Sequence, residues 1–153
     1  MKLNLRSGQN IKNGYLNIDI LDIAGFPDDI YKRGDFTNLD WAIEDNSLEE
    51  IASNDALSYI PLSHIEQVLK NWSSKLTNNG KLYIQGINCD IINRLYNSNQ
   101  MTIIEFNAII FSNNIRSISN KDILFSHLKN SGFRIDSFTY DGISMDIWAV
   151  KND

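Results

Sequence analysis

Cysteine is almost absent: Cys89 stands alone among 153 residues. It can form no internal disulfide, and it has no thiolate companion for a zinc site. Such usage fits a reducing, cytoplasmic setting. Proline occurs twice, and no proline-rich linker, repeat or low-complexity block divides the chain. Residues 1–153 therefore read as one domain, long enough for one proper core. Runs of lysine and arginine are missing too, and the net charge is −5. That balance argues against a nucleic-acid backbone or an anionic membrane as the main partner, since both demand a basic face. The chain opens on polar positions (Lys2, Asn4, Arg6, Asn10), which fits neither a signal peptide nor a membrane span. The two histidines, His64 and His127, are isolated from each other and make neither a metal site nor a catalytic triad. No metal is expected.

What remains is an ordinary globular composition, 42% hydrophobic and 22% charged. Asparagine and isoleucine are common, as AT-rich coding DNA would produce, so an asparagine here is weaker evidence of function than elsewhere. Strand and helix signals alternate, which points to an α/β sheet. Strands are predicted at Leu3–Leu5, Tyr15–Ile20, Ile30–Tyr31 leading to Gly34-Asp35, Leu48–Ala52 and Lys81–Ile87. Ile65, Val68, Leu69, Trp72 and Leu76 share one helical face. Ser63 reads as that helix's N-cap, Glu66 as its capping-box partner, and Asn79-Gly80 as its stop. Ile91–Tyr96 and Thr102–Phe111 read as two further helices, the second as mostly core, with a cover for an acceptor pocket or a dimer face as alternatives. Ser119 with Asp122 opens another helix, closed by Gly132. Phe133–Tyr140 and Ile143–Val150 flank Asp141-Gly142, which reads as a type I′ hairpin turn. The expected sheet is thus mostly parallel, with a C-terminal antiparallel hairpin. Its first two crossovers are oddly short, since a parallel crossover normally needs a dozen or more residues. Either those strands are not parallel neighbours, or their crossover helices have shrunk to turns.

The order of short segments resembles the small class I S-adenosylmethionine-dependent methyltransferases. The residues that carry the resemblance are Leu3-Asn4-Leu5-Arg6-Ser7-Gly8, then Gly14-Tyr15-Leu16-Asn17-Ile18-Asp19-Ile20, then Gly34-Asp35-Phe36-Thr37. Asp45-Asn46-Ser47-Leu48, Leu57-Ser58-Tyr59-Ile60-Pro61, Leu76 to Leu82 and Ser131-Gly132-Phe133 continue it over nearly the whole chain. The resemblance implies a Rossmann-like fold, truncated at the first two crossover helices, and S-adenosylmethionine as cofactor. It implies a cofactor turn at Leu5, Arg6, Ser7 and Gly8, a ribose-binding Asp19, Asp35 and the backbone of Phe36 beside the adenine, and Ser53 and Asn54 near the methionine end and the acceptor. The implied acceptor is a small molecule or a sugar.

Arg6 is the main departure, because relatives usually carry glycine there. If the position needs φ > 0, arginine costs roughly 1–2 kcal/mol. The side chain either fills ligand space, points to solvent, or pairs with a ligand carboxylate. Relatives also carry histidines in the stretch occupied here by Asp55, Ser58 and Tyr59. These departures keep a second reading open: a non-catalytic binding or scaffold module with a degraded cofactor loop. Tyr59 reads as packing rather than as a base. His64 reads as solvated, His127 as partly buried, Cys89 as buried filler, and Trp41, Trp72 and Trp148 as core, with adenine stacking as the alternative for Trp41. Trimmed helices leave apolar surface, which makes a homodimer an expectation as well.

Overall fold

A computed structural model describes residues 1–111 and 115–153. Seven strands form one sheet: β1 (Lys2–Leu5), β2 (Leu16–Asp19), β3 (Tyr31–Arg33), β4 (Leu48–Asn54), β5 (Leu76–Ile87), β6 (Phe133–Asp141) and β7 (Ser144–Lys151). Their spatial order is β3-β2-β1-β4-β5-β7-β6. The pairs from β3 through β5 are parallel, and β7 runs antiparallel to both β5 and β6. The mostly parallel sheet with its antiparallel end is as expected.

The helices are α1 (Ile65–Lys75), α2 (Cys89–Asn97), α3 (Ile103–Ile110) and α4 (Lys121–Asn130). Single 3₁₀ turns lie at Ala56–Tyr59 and Leu62–His64. Strand alternation turns Leu3, Leu5, Ile18, Ile51, Leu82, Ile84, Ile147 and Ala149 toward one core. Helices α1 and α4 close that core with Ile65, Leu69, Trp72, Leu124 and Leu128. Trp72 is wholly buried and donates its indole N–H to the Phe36 carbonyl at 2.8 Å. Among the described residues no helix is long and apolar enough to cross a membrane.

Both short crossovers do join parallel neighbours, and neither contains a helix. The first runs over residues 6–15 and the second over residues 20–30. Parallel sheets are ordinarily covered on both faces by crossover helices. Here side-chain amides hold the loop instead. Asn4 and Asn17 face away from the core, directly paired between β1 and β2, and both are buried. Asn4 Nδ2 donates to Asn17 Oδ1 at 2.8 Å, and the Lys12 backbone N–H donates to the same oxygen at 2.9 Å. Asn17 Nδ2 donates in turn to the carbonyls of Tyr15 and Ile30. The amides satisfy backbone groups that a helix would otherwise have hidden.

Several local expectations are corrected. Helix α1 has no side-chain cap: Pro61 precedes a 3₁₀ turn that contains Ser63, and the helix begins after it. Glu66 is therefore free of any capping box and binds Lys70 and α4. Asn79-Gly80 lies within β5, at an irregular register opposite β4, and the helix ends earlier at Lys75. Asn120, not Ser119, caps α4, because its Oδ1 accepts the Ile123 N–H at 3.0 Å. The hairpin turn is Gly142-Ile143, with Asp141 still paired to Ser144. Only its first central residue has positive φ (58°), which is the II′ pattern and not I′.

The Thr102–Phe111 segment is helical as expected, with Thr102 in a capping box with Glu105. It is not core: α3 buries none of its residues, and Ile104 is 78% exposed. Trp41 and Trp148 are not core either. Trp41 is exposed and lies flat over Gly34, where any Cβ would fall 2.1 Å from the ring. Trp148 is half-buried against Tyr83, with ring centroids 5.0 Å apart, on the face opposite the core. Cys89 is half-buried at the start of α2, and burial raises its thiol pKa.

Candidate functional site

Open α/β sheets bind ligands beyond the carboxyl ends of their strands, where the strand order reverses. In this sheet that point lies beside β1, which is flanked by β2 on one side and β4 on the other. A cleft of about 850 Å³ opens there. Six expected residues line it: Arg6, Ser7, Gly8, Asp19, Asp35 and Phe36. Leu5, Ser53 and Asn54 do not. Leu5 is wholly buried in the core. Ser53 is equally buried, and its Oγ has no hydrogen-bond partner among the described residues. Asn54 donates its side-chain amide to Asn4 Oδ1 at 3.1 Å and so extends the asparagine chain across a third strand.

The turn after β1 is held by Asp19. One carboxylate oxygen accepts the Gly8 N–H at 2.8 Å, and the other accepts the Leu21 N–H at 3.1 Å. The residue is only 2% exposed. A carboxylate offers about four acceptor sites, so two remain for hydroxyl donors at the cleft surface. Asp35 is exposed, and one of its oxygens accepts both the backbone N–H and the hydroxyl of Thr37 at 2.7 Å. Phe36 is buried with its carbonyl taken by Trp72.

Arg6 adopts φ 52°, the left-handed conformation that glycine accepts without cost. Its guanidinium is stacked 3.4 Å from the Tyr59 ring centroid and lies 3.8 Å from Asp55 Oδ2. Asp55 is itself left-handed at φ 56°, and its Oδ1 accepts the Ser58 hydroxyl. Of the three outcomes open for Arg6, none describes it fully: the side chain is folded back on a neighbouring aromatic wall. Two strained residues held by each other are the kind of feature found at functional sites.

Sequence reasoning missed the far wall. After α3 the chain returns so that Ile115 and Arg116 border the cleft. The backbone N–H groups of Arg116 and Ser117 both donate to the Ser58 carbonyl, and Ser117 Oγ donates to the Ile60 carbonyl at 2.8 Å. No local motif marks this return, because its partners lie nearly sixty positions earlier. Among the described residues no three His, Cys, Asp or Glu side chains gather as metal ligands.

No protein-family model and no curated protein sequence matches the chain. Solved structures do. A SAM-dependent methyltransferase from Methanosarcina mazei superposes with a TM-score of 0.71 at 16% identity, covering 99% of this chain and 92% of that one. An S-adenosylmethionine-dependent methyltransferase from Mesorhizobium loti gives 0.72 at 14% identity, covering 98% and 90%. A SAM-dependent methyltransferase from Archaeoglobus fulgidus gives 0.67 at 13% identity, covering 98% and 85%. The chain therefore has the class I methyltransferase fold, reduced to a sheet whose first two crossovers are loops.

Proposed function

We propose that the protein is an S-adenosylmethionine-dependent methyltransferase acting on a small-molecule or sugar-type acceptor, with the cofactor in the 850 Å³ cleft. The observation that carries this reading is the Gly8–Asp19 contact at the switch point of the sheet. It combines a turn open to close ligand approach with a carboxylate holding unused acceptor capacity. Asp19 would accept the ribose hydroxyls, Asp35 and the Phe36 backbone would border the adenine, and the turn at Arg6–Gly8 would meet the methionine end. The fit is chemical: ribose hydroxyls would donate to the acceptor sites that Asp19 has left.

The cofactor supplies an already activated methyl group, so the chain's own task is to position the acceptor in line with it. A general base is required only for a hydroxyl acceptor. Loss of the histidines seen in relatives therefore leaves the reading intact. The non-catalytic alternative rests on one observation, the left-handed Arg6 held on Tyr59. The two readings separate in a melting experiment. A ligand at a hundredfold excess over Kd stabilises by about 2.7 kcal/mol, a rise of several degrees for a domain of this size. Millimolar S-adenosylmethionine or S-adenosylhomocysteine is expected to produce that rise. No rise with either ligand leaves the non-catalytic reading standing.

A further inference from the structure

The stretch from Gly34 to Thr37 leaves β3, and its Asp35, Phe36 and Thr37 line the cleft. Two indoles hold it by consecutive carbonyls. Trp41 donates its N–H to the Asp35 carbonyl at 2.9 Å, and Trp72 donates to the Phe36 carbonyl at 2.8 Å. The two are not equivalent. Trp72 is wholly buried and belongs to the core, whereas Trp41 is 47% exposed and lies outside the core cluster. What Trp41 covers is Gly34. A Cβ there would fall 2.1 Å from Cζ2 and 2.4 Å from Cη2 of the ring, far inside contact distance. Gly34 is not among the residues of positive φ, so its backbone makes no demand for glycine. The demand comes from the ring. The Gly34 N–H also donates to the Asp19 carbonyl at 2.9 Å. The residue under the ring is therefore bonded to the residue assigned to the ribose.

Trp41 is itself anchored. It sits in a turn over residues 39–43, where the Ala42 and Ile43 N–H groups both donate to the Leu39 carbonyl at 3.0 Å. Leu39 and Ile43 are buried in the core. Helix α1 grips the same turn through Asn71, whose Oδ1 accepts the Leu39 N–H at 2.8 Å and whose Nδ2 donates to Asp40 Oδ1 at 3.0 Å. Lys75, shared by Asp40 at 2.6 Å and Asp45 at 2.5 Å, adds a second tie. Contacts thus run from α1 through the turn to Trp41, and from Trp41 to the cleft wall. Trp41 does not line the cleft itself. A side chain so placed acts on a site through the loop that it holds.

We propose that Trp41 is a positioning residue for the adenosyl ligand. Its ring lies against Gly34 and its N–H holds the Asp35 carbonyl, which fixes the loop from Gly34 to Thr37 beside Asp19 in the conformation that the ligand meets. The ligand's identity rests on the methyltransferase reading; the clamp on the loop rests on the geometry alone.

The test compares the full chain with its Trp41→Ala, Gly34→Ala and Trp148→Ala variants, by calorimetric titration with S-adenosylhomocysteine and by amide hydrogen exchange without ligand. Trp41→Ala removes the clamp. Gly34→Ala keeps the indole but drives the ring off the loop, so it supplies an independent arm. Trp148→Ala removes an indole from the sheet face opposite the core and controls for a loss of stability alone. Protected amides in the core strands report that each variant is folded. Both clamp variants are expected to bind S-adenosylhomocysteine about three- to tenfold more weakly, the contribution of one hydrogen bond, with Trp148→Ala at the wild-type affinity. Without ligand, the Gly34 and Thr37 amides are expected to exchange faster in both clamp variants than in Trp148→Ala. Wild-type affinity in either clamp variant, or equal weakening by Trp148→Ala, would overturn the proposal. A wild type that binds no S-adenosylhomocysteine would remove the methyltransferase reading and leave the clamp to the exchange measurement. Faster exchange at Gly34 and Thr37 would then uphold it, and unchanged exchange would overturn it.

Discussion

An arginine at φ 52° must be held there by something, and the holders are Tyr59 and Asp55. Stacking on the ring and a partly exposed ion pair together oppose a left-handed cost of roughly 1–2 kcal/mol. Two substitutions separate these effects. Arg6→Ala removes both contacts and keeps the backbone cost, whereas Arg6→Gly removes the contacts and the cost together. Urea unfolding is expected to place Arg6→Gly above Arg6→Ala by about 1 kcal/mol. Equal stabilities would mean the loop relaxes in both. Asn17 is the residue whose role sequence could not show, since abundant asparagine hid it. Removing its side chain takes away the buried bond from Asn4 Nδ2 and the acceptor of the Lys12 N–H. Asn17→Ala is expected to cost about 1–3 kcal/mol in the same assay, and a neutral result would contradict the amide ladder as the substitute for a helix. The need for a left-handed residue at position 6 was legible from the glycine of relatives. The direction of its side chain was not, because Tyr59 and Asp55 lie far along the chain.

Among the elements, α1 and α4 are tied through one carboxylate. Glu66 receives Lys70 at 2.7 Å, Asn130 at 3.2 Å and His127 at 3.5 Å. Those bonds, Lys70 first, lower its pKa from 4.5 to about 2. A carboxyl whose folded pKa is depressed contributes stability above its unfolded value and loses it as pH falls toward the folded one. The contribution is therefore whole above 4.5 and fades toward about 2. Glu66→Gln is expected to melt below the wild type at neutral pH, with the gap closing as pH approaches 2. A gap that persists at that pH would assign the effect to packing. Element existence was legible because periodicity is local: the apolar stripe of α1 and the alternation of β7 announce themselves. Boundaries were less so. Pro61 precedes a 3₁₀ turn that delays the start of α1, and the pairing of Asp141 with Ser144 sets the hairpin turn at Gly142-Ile143 instead of Asp141-Gly142. Apolar composition misled at α3, where among the described residues Ile103, Ile104 and Phe111 stay exposed.

At the scale of the molecule, one sheet carries the cleft beside β1, with helices α1 and α4 closing the core. The mostly parallel sheet with its antiparallel end was legible from the run of short segments, whereas the parallel pairing of β1, β2 and β3 across helix-free crossovers was one of two alternatives the sequence left open. The far wall was not, since Arg116 reaches the site only through backbone bonds to Ser58. Nor was the withdrawal of Ser53 and Asn54, which belong to the core and to the amide ladder. The central claim is that the cleft beside β1 holds an adenosyl ligand. The most direct measurement is a titration of the isotopically labelled full chain with S-adenosylhomocysteine, read residue by residue. Saturable shifts at the amides of Ser7, Gly8, Leu21 and Thr37, which line the cleft or bond to its carboxylates, are the predicted result. A folded protein that shows no shifts, or shifts confined to α3, would contradict it.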